Sequence, residues 1–212
     1  MKRVLFSLLW SFSLILSIAN AANLPIEPSG IYKDIDIHLM VDTVKALRDY
    51  KGEQQLKVAN TVIAKPEEFA PPALYVLSSV LFEQGKKDDA VFWFYAAQVR
   101  GRIDANICAD KSAAAIVDAM NQKFGPPINQ YAFTNLSLLT NTVDRVLAWE
   151  EVTPCHYDRR WINLHGKNAM TGETNSLLSA PPEQWEAIRT RTRETYASDF
   201  RKALAELNKR KR

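Results

Sequence analysis

The chain has 212 residues, with 27 Lys or Arg against 24 Asp or Glu. Lys2 and Arg3 belong to an N-terminal targeting pattern, and without them the balance is 25 basic against 24 acidic. Such near neutrality gives no electrostatic case for nucleic-acid binding, and the length suits one domain with a core of its own.

Residues 1–21 read as a secretory signal peptide. Lys2 and Arg3 supply the charged start, residues 4–18 are apolar but for serines, and Ala19-Asn20-Ala21 is a small-x-small cleavage site. No Cys follows the apolar run, so a lipoprotein anchor is not expected. No later stretch reaches the 18 or more apolar residues of a spanning helix. The expectation is an exported, periplasmic product with no stable membrane insertion after cleavage. Residues 22–30, with Pro25 and Pro28, should be extended. Residues 31–208 should form a single helical domain, and 209–212 a basic tail that suits a helix C-terminus and frays.

The spacing predicts a helix over 36–51, with Ile37, Met40, Val44 and Leu47 inward and Gly52 as its stop. A second follows over 53–64, with Leu56, Ala59 and Ile63 inward, ended before Pro66. Residues 71–101 predict a helical hairpin. Pro71 and Pro72 suit a first turn, and Leu74, Leu77, Val80 and Leu81 recur at helical spacing. Gly85 suits a left-handed stop, and Asp88 or Asp89 suits the start of the next helix. Residues 90–97 are apolar or aromatic throughout, which predicts a helix covered on several sides. The alternative is a cofactor or ligand groove lined by Phe92, Trp93 and Tyr95.

The hairpin resembles a tetratricopeptide (TPR) repeat or its Sel1-like relative. Leu74, Leu77, Ser78 and Leu81 carry the likeness on the first helix, Gly85 at the turn, and Ala90, Phe94 and Ala97 on the second. Arg102 stands near the place where the repeat has its closing proline. The likeness implies a concave binding face and flanking helices to cover a lone repeat.

A polar link over 101–107 and a helix over 109–124 come next, with Ile116, Val117, Met120 and Phe124 on one face. Gly125-Pro126-Pro127 predicts a firm break. Residues 128–151 predict one or two helices using Leu136, Leu139, Val143, Val146 and Leu147. Residues 155–180 lack periodicity and predict a long irregular loop. Pro181 and Pro182 open the last helix, faced by Trp185, Ile188, Tyr196, Phe200 and Leu204. The predicted architecture is all-α, about seven helices in antiparallel pairs, TPR-like or α-solenoid-like.

Cys108 and Cys155 are the two cysteines. An even count in an oxidising compartment predicts a disulfide between them, tying the end of the hairpin to the start of the loop. A free thiol is the alternative. The loop itself concentrates His156, Tyr157, Asp158, Arg159, Arg160, Trp161, Asn163 and His165. Mixed Arg, Trp and Tyr are the residue types of binding hot spots. They serve equally to brace a loop on helices.

No G-x-S-x-G elbow, H-E-x-x-H helix or phosphate-binding Gly-rich loop is present. No metal or cofactor is implied, and the scattered histidines, His38 among them, give no metal-ligand spacing. Two stretches, FWFYAAQVRGRIDANIC and YDRRWINLHG, are similar to segments of uncharacterised exported bacterial proteins. The resulting expectation is a non-catalytic module that binds another protein, either immunity-type or an envelope adaptor. The alternative is a small periplasmic hydrolase using His156, Asp158 or His165.

Overall fold

The computed structural model describes residues 29–172 and 177–210. The signal peptide read at 1–21, most of the extended segment at 22–30 and the last two residues of the basic tail lie outside them. Among the described residues the fold is all-α and holds no β-strand. It comprises α1 (His38–Asp49), α2 (Gly52–Ala64), α3 (Pro71–Glu83), α4 (Lys87–Ile107), α5 (Ala115–Ala132), α6 (Leu136–Val152), α7 (Lys167–Thr171) and α8 (Trp185–Arg210).

α4 is the centre. It packs on α3, α5, α6 and α8, and is covered near its end by the segment Arg159–His165. Few of its residues reach water, and Phe94, Ala96, Ala97 and Val99 are fully buried. That is why the run over 90–97 has no polar face. Trp93 and Tyr95 are buried as well, so the run builds core and not a ligand groove.

The turn between α3 and α4 is made by Gly85 at φ +79°. Gly85 N–H donates to the Phe82 carbonyl at 3.0 Å, and Lys86 N–H to Leu81 at 2.9 Å. These two bonds satisfy carbonyls at the end of α3 in the Schellman arrangement. Asp88 and Asp89 occupy the first turn of α4, where the helix dipole favours them, but neither side chain caps it.

Four expectations need correction. The link over 101–107 is helical, because α4 continues to Ile107 with Ile103 and Asp104 fully buried. The break at Gly125-Pro126-Pro127 is not a break, and α5 runs through it. A helical proline removes the donor to the carbonyl four residues back. Here those carbonyls belong to Gln122 and Lys123, which are exposed like the prolines, so water can replace the lost bonds. On the buried side, Gly125 lets the Phe94 ring approach; a Cβ there would lie 3.0 Å from Phe94 Cζ.

The inward face of α2 keeps the predicted Ala59 but takes Gln55 and Val62, each one residue earlier than the predicted Leu56 and Ile63. Gln55 is turned in because its Nε2 donates to the Leu47 carbonyl at 2.8 Å, closing the end of α1. Finally, the described part of 155–180 carries regular structure. Arg159–His165 forms 3₁₀ turns and Lys167–Thr171 forms α7, ended by Gly172 at φ +70°.

Replacing Gly125 by Ala tests the close approach of α5 to α4. Helix propensity alone predicts a gain of about 1 kcal/mol. Overpacking costs about 1–3 kcal/mol and should cancel or reverse that gain. With Phe94→Leu in the background, the same change should become stabilising. Urea midpoints of the four proteins measure this; equal effects in both backgrounds would show no contact.

Candidate functional site: a buried charge cluster

Site residues read from the sequence sit on the segment that follows α6 and folds back across α4. His156 N–H donates to the Glu67 carbonyl at 2.8 Å, which docks the segment on the stretch before α3. Its ring Nδ1 lies 2.8 Å from Glu68 Oε1, with both side chains half exposed. The 3₁₀ turns then start at Asp158, whose side chain accepts from Arg160 N–H at 2.9 Å.

Asp104 is the focus of the cluster and was not foreseen. Its carboxylate is fully buried on α4. Tyr157 Oη–H donates to Oδ2 at 3.0 Å and Trp161 Nε1–H donates to it at 2.9 Å. Arg159 pairs with Oδ1 at 3.3 Å. Burial pushes the Asp104 carboxyl up to about 6, against the lowering pull of Arg159 and the bonds from Trp161 and Tyr157. Burial also raises the Tyr157 phenol, and the neighbouring Asp104 charge adds to it.

One turn earlier on α4, Arg100 is fully buried too. It donates to the carbonyls of Pro66 at 2.8 Å and Pro154 at 3.1 Å. Its guanidinium lies 4.3 Å from the centre of the Trp149 ring, a cation–π contact. A third buried charge, Glu150 at the end of α6, is held by Arg189 Nε at 2.7 Å and Arg193 at 3.0 Å from α8. The same Arg189 donates to the Glu150 and Thr153 carbonyls.

The remaining predicted residues are engaged as well. Arg160 pairs with both oxygens of Asp158 and donates to the Asp34 carbonyl at 3.0 Å. Burial would raise Asp158, but the bonds from Arg160 and from the Asp36 N–H outweigh it and hold it below the usual carboxylate range. Asn163 is buried, with Nδ2 on the Arg160 carbonyl. His165 is exposed and meets the Trp161 ring edge-on at 5.8 Å. The structure therefore brings Tyr157, Arg159 and Trp161 together on Asp104. His156, Asp158 and His165 each have a different partner.

The predicted bond between Cys108 and Cys155 is not formed; both thiols are free. Cys108 Sγ is turned to Asn163 Oδ1 at 3.2 Å and the Asp110 carbonyl at 3.4 Å. Burial pushes its thiol up to about 11. The end of α4 is tied instead to residues further along the chain. Ala180 N–H donates to the Ile107 carbonyl at 2.8 Å, and Ala109 N–H to Leu178 at 3.3 Å. These flank an isolated antiparallel bridge between Cys108 and Ser179.

No family model matches this chain, and no solved structure matches it. An uncharacterized protein of Haemophilus influenzae is 26% identical over 137 residues, which are 64% of this chain and 51% of that protein. The chain thus spans about half the length of this curated relative.

Two measurements test the cluster. Trp161→Ala should cost about 3–5 kcal/mol, the usual loss for a buried aromatic. Arg160→Ala should cost about 1 kcal/mol or less, since its pair is partly exposed. Chemical denaturation of both variants separates these outcomes.

Asp104 adds a pH dependence. Its folded value, about 6, stands above the ordinary 3.8, so the folded state holds the proton more tightly. The stability this contributes is whole below the ordinary value and is lost as pH rises through about 6. Urea midpoints between those limits should therefore fall less steeply with pH, or rise, in Asp104→Asn relative to wild type.

Proposed function

We propose that this chain is an exported, periplasmic protein-interaction module that acts without catalysis, either as an immunity-type protein or as an envelope adaptor. The observation that carries this reading is a shallow, open, partly apolar groove along one side of α2, accessible among the described residues. It is lined by Glu53, Leu56, Lys57, Asn60, Thr61 and Ala64. α2 packs on α1 and α3 through its other side. Leu39 and Ile63, 50% and 37% exposed, stand at the same end of this helix pair, and Tyr50 is exposed at the other. Charge, hydroxyl, amide and apolar groups alternate along the groove, as at the rim and core of a protein interface.

The TPR-like reading of α3 and α4 supports a scaffold role, since the helical positions that carry the likeness are buried, with Gly85 exposed at the turn. The N-terminal targeting pattern supports export. The loop over 155–170 is reassigned in this reading. Its Arg, Tyr and Trp residues brace the helices and do not form the partner surface. A hydrolase using His156, Asp158 or His165 has less support, because Arg160 occupies both Asp158 oxygens while Glu68 holds His156.

Position-specific photocrosslinking tests the assignment. A crosslinker replacing Lys57 should give a defined protein adduct in periplasmic extract, and one replacing Arg160 should not. Leu56→Ser with Lys57→Glu should weaken affinity for the recovered partner about tenfold or more, equal to about 1.4 kcal/mol, while leaving the melting temperature nearly unchanged. Adducts at 160 but not at 57 would move the interface back to the loop.

A further inference from the structure

A second opening in the molecule lies on another face, between the start of α4, the end of α5 and the start of α6. It is a cavity of about 180 Å³. Its floor is apolar and buried, formed by Val91, Ala132 and Leu139. One polar group interrupts that floor. Thr142 is 3% exposed and lines the cavity, and among the described residues its hydroxyl has no hydrogen-bond partner. The contrast with Thr140 on the same helix is direct, since that hydroxyl donates to the Leu136 carbonyl at 2.8 Å. Its oxygen opens onto the cavity and is not sealed in the core, so a ligand hydroxyl can take the place of water on it.

The rim carries the opposite chemistry. Asp88 is exposed, and its Oδ1 accepts from Tyr131 Oη–H at 2.7 Å, which fixes the carboxylate over the opening. Among the described residues nothing donates to Oδ2. The adjacent Lys87 ammonium lies 5.5 Å and 5.3 Å from the ring centres of Phe82 and Tyr131, and Lys87 itself does not line the cavity. Asp88 thus lines the opening with one carboxylate oxygen held by Tyr131 and the other free of protein donors among the described residues.

We propose that this cavity binds a small aliphatic amine that carries a hydroxyl at its far end. The ammonium would meet Asp88 Oδ2, a charge-assisted contact. The methylene chain would lie on Val91, Ala132 and Leu139, and the far hydroxyl would pair with Thr142. The volume limits the ligand to about six non-hydrogen atoms, since a water molecule takes about 30 Å³. Pockets for drug-sized molecules are larger. This inference does not rest on the α2 groove and can fail or succeed apart from it.

The test compares three four-carbon probes that differ only at one end: aminobutanol, butanediol and hydroxybutyrate, each with its second polar group at the opposite end. Amide-proton NMR titration of the protein follows the Asn135 and Thr142 signals. Aminobutanol should shift both saturably, with butanediol weaker and hydroxybutyrate weakest. Asp88→Asn should reduce aminobutanol about tenfold, to the level of butanediol. Thr142→Val should bring it down to the level of n-butylamine. Should the valine variant fold poorly, the exposed Asp88→Asn change still decides the question. No saturable shift, equal affinity for the three probes, or an unchanged response in Asp88→Asn would show a cavity that holds only water.

Discussion

Arg100 and Asp104 are charged, four residues apart on one helix, and both fully buried. Taking an ion out of water costs several kcal/mol unless partners replace the solvent. α4 cannot supply them, because its own backbone groups are already paired along the helix. The partners come from two distant parts of the chain. Pro66 serves Arg100 from before α3, and Pro154 serves it from after α6. Tyr157, Arg159 and Trp161 serve Asp104. The path of the chain over residues 153–165 follows from this need.

The same logic fixes α8. Glu150 is buried at the end of α6, and Arg189 and Arg193 reach it from one face of the last helix. A slip of α8 by one residue would turn both guanidinium groups away and leave a carboxylate unpaired. Buried ion pairs contribute modestly to stability against an apolar alternative, but they penalise wrong arrangements heavily. Here three such charges, on α4 and α6, set the register of the loop and of α8. The apolar contacts of Tyr196 and Leu204 then supply burial without having to choose the register.

Much of the helix plan was legible from spacing. The turn at Gly85 could be read because only a left-handed residue suits that position, and the buried faces of α3 and α8 because their apolar residues recur. The failures have physical causes. Residues 101–107 look polar and read as a link, yet Arg100, Asp104 and Ile107 extend the buried side of α4. A charge on an apolar stripe is a signal that something must come to meet it. Glu150, seven residues after the buried Val143, carries the same signal. Neither charge names its partner, since that depends on contacts 53 to 57 positions away for Asp104. The prolines of α5 misled for the converse reason. They weigh as breakers in a sequence, but their cost depends on whether the lost bonds face water.

Composition could not separate a brace from a binding loop at 155–165, because both draw on Arg, Tyr and Trp. What separates them is where the polar ends point. An exposed guanidinium waits for a partner and contributes on contact. Arg159 already has its carboxylate inside the molecule, and Trp161 has both its ring buried and its N–H paired. To offer either to another protein, the chain would first have to uncover Asp104 and take from that carboxylate one of its three side-chain partners. A surface that must break its own core to bind starts from a deficit that the α2 groove does not carry. There, Lys57 and Asn60 are already in water, and a partner of the kind proposed would displace solvent only.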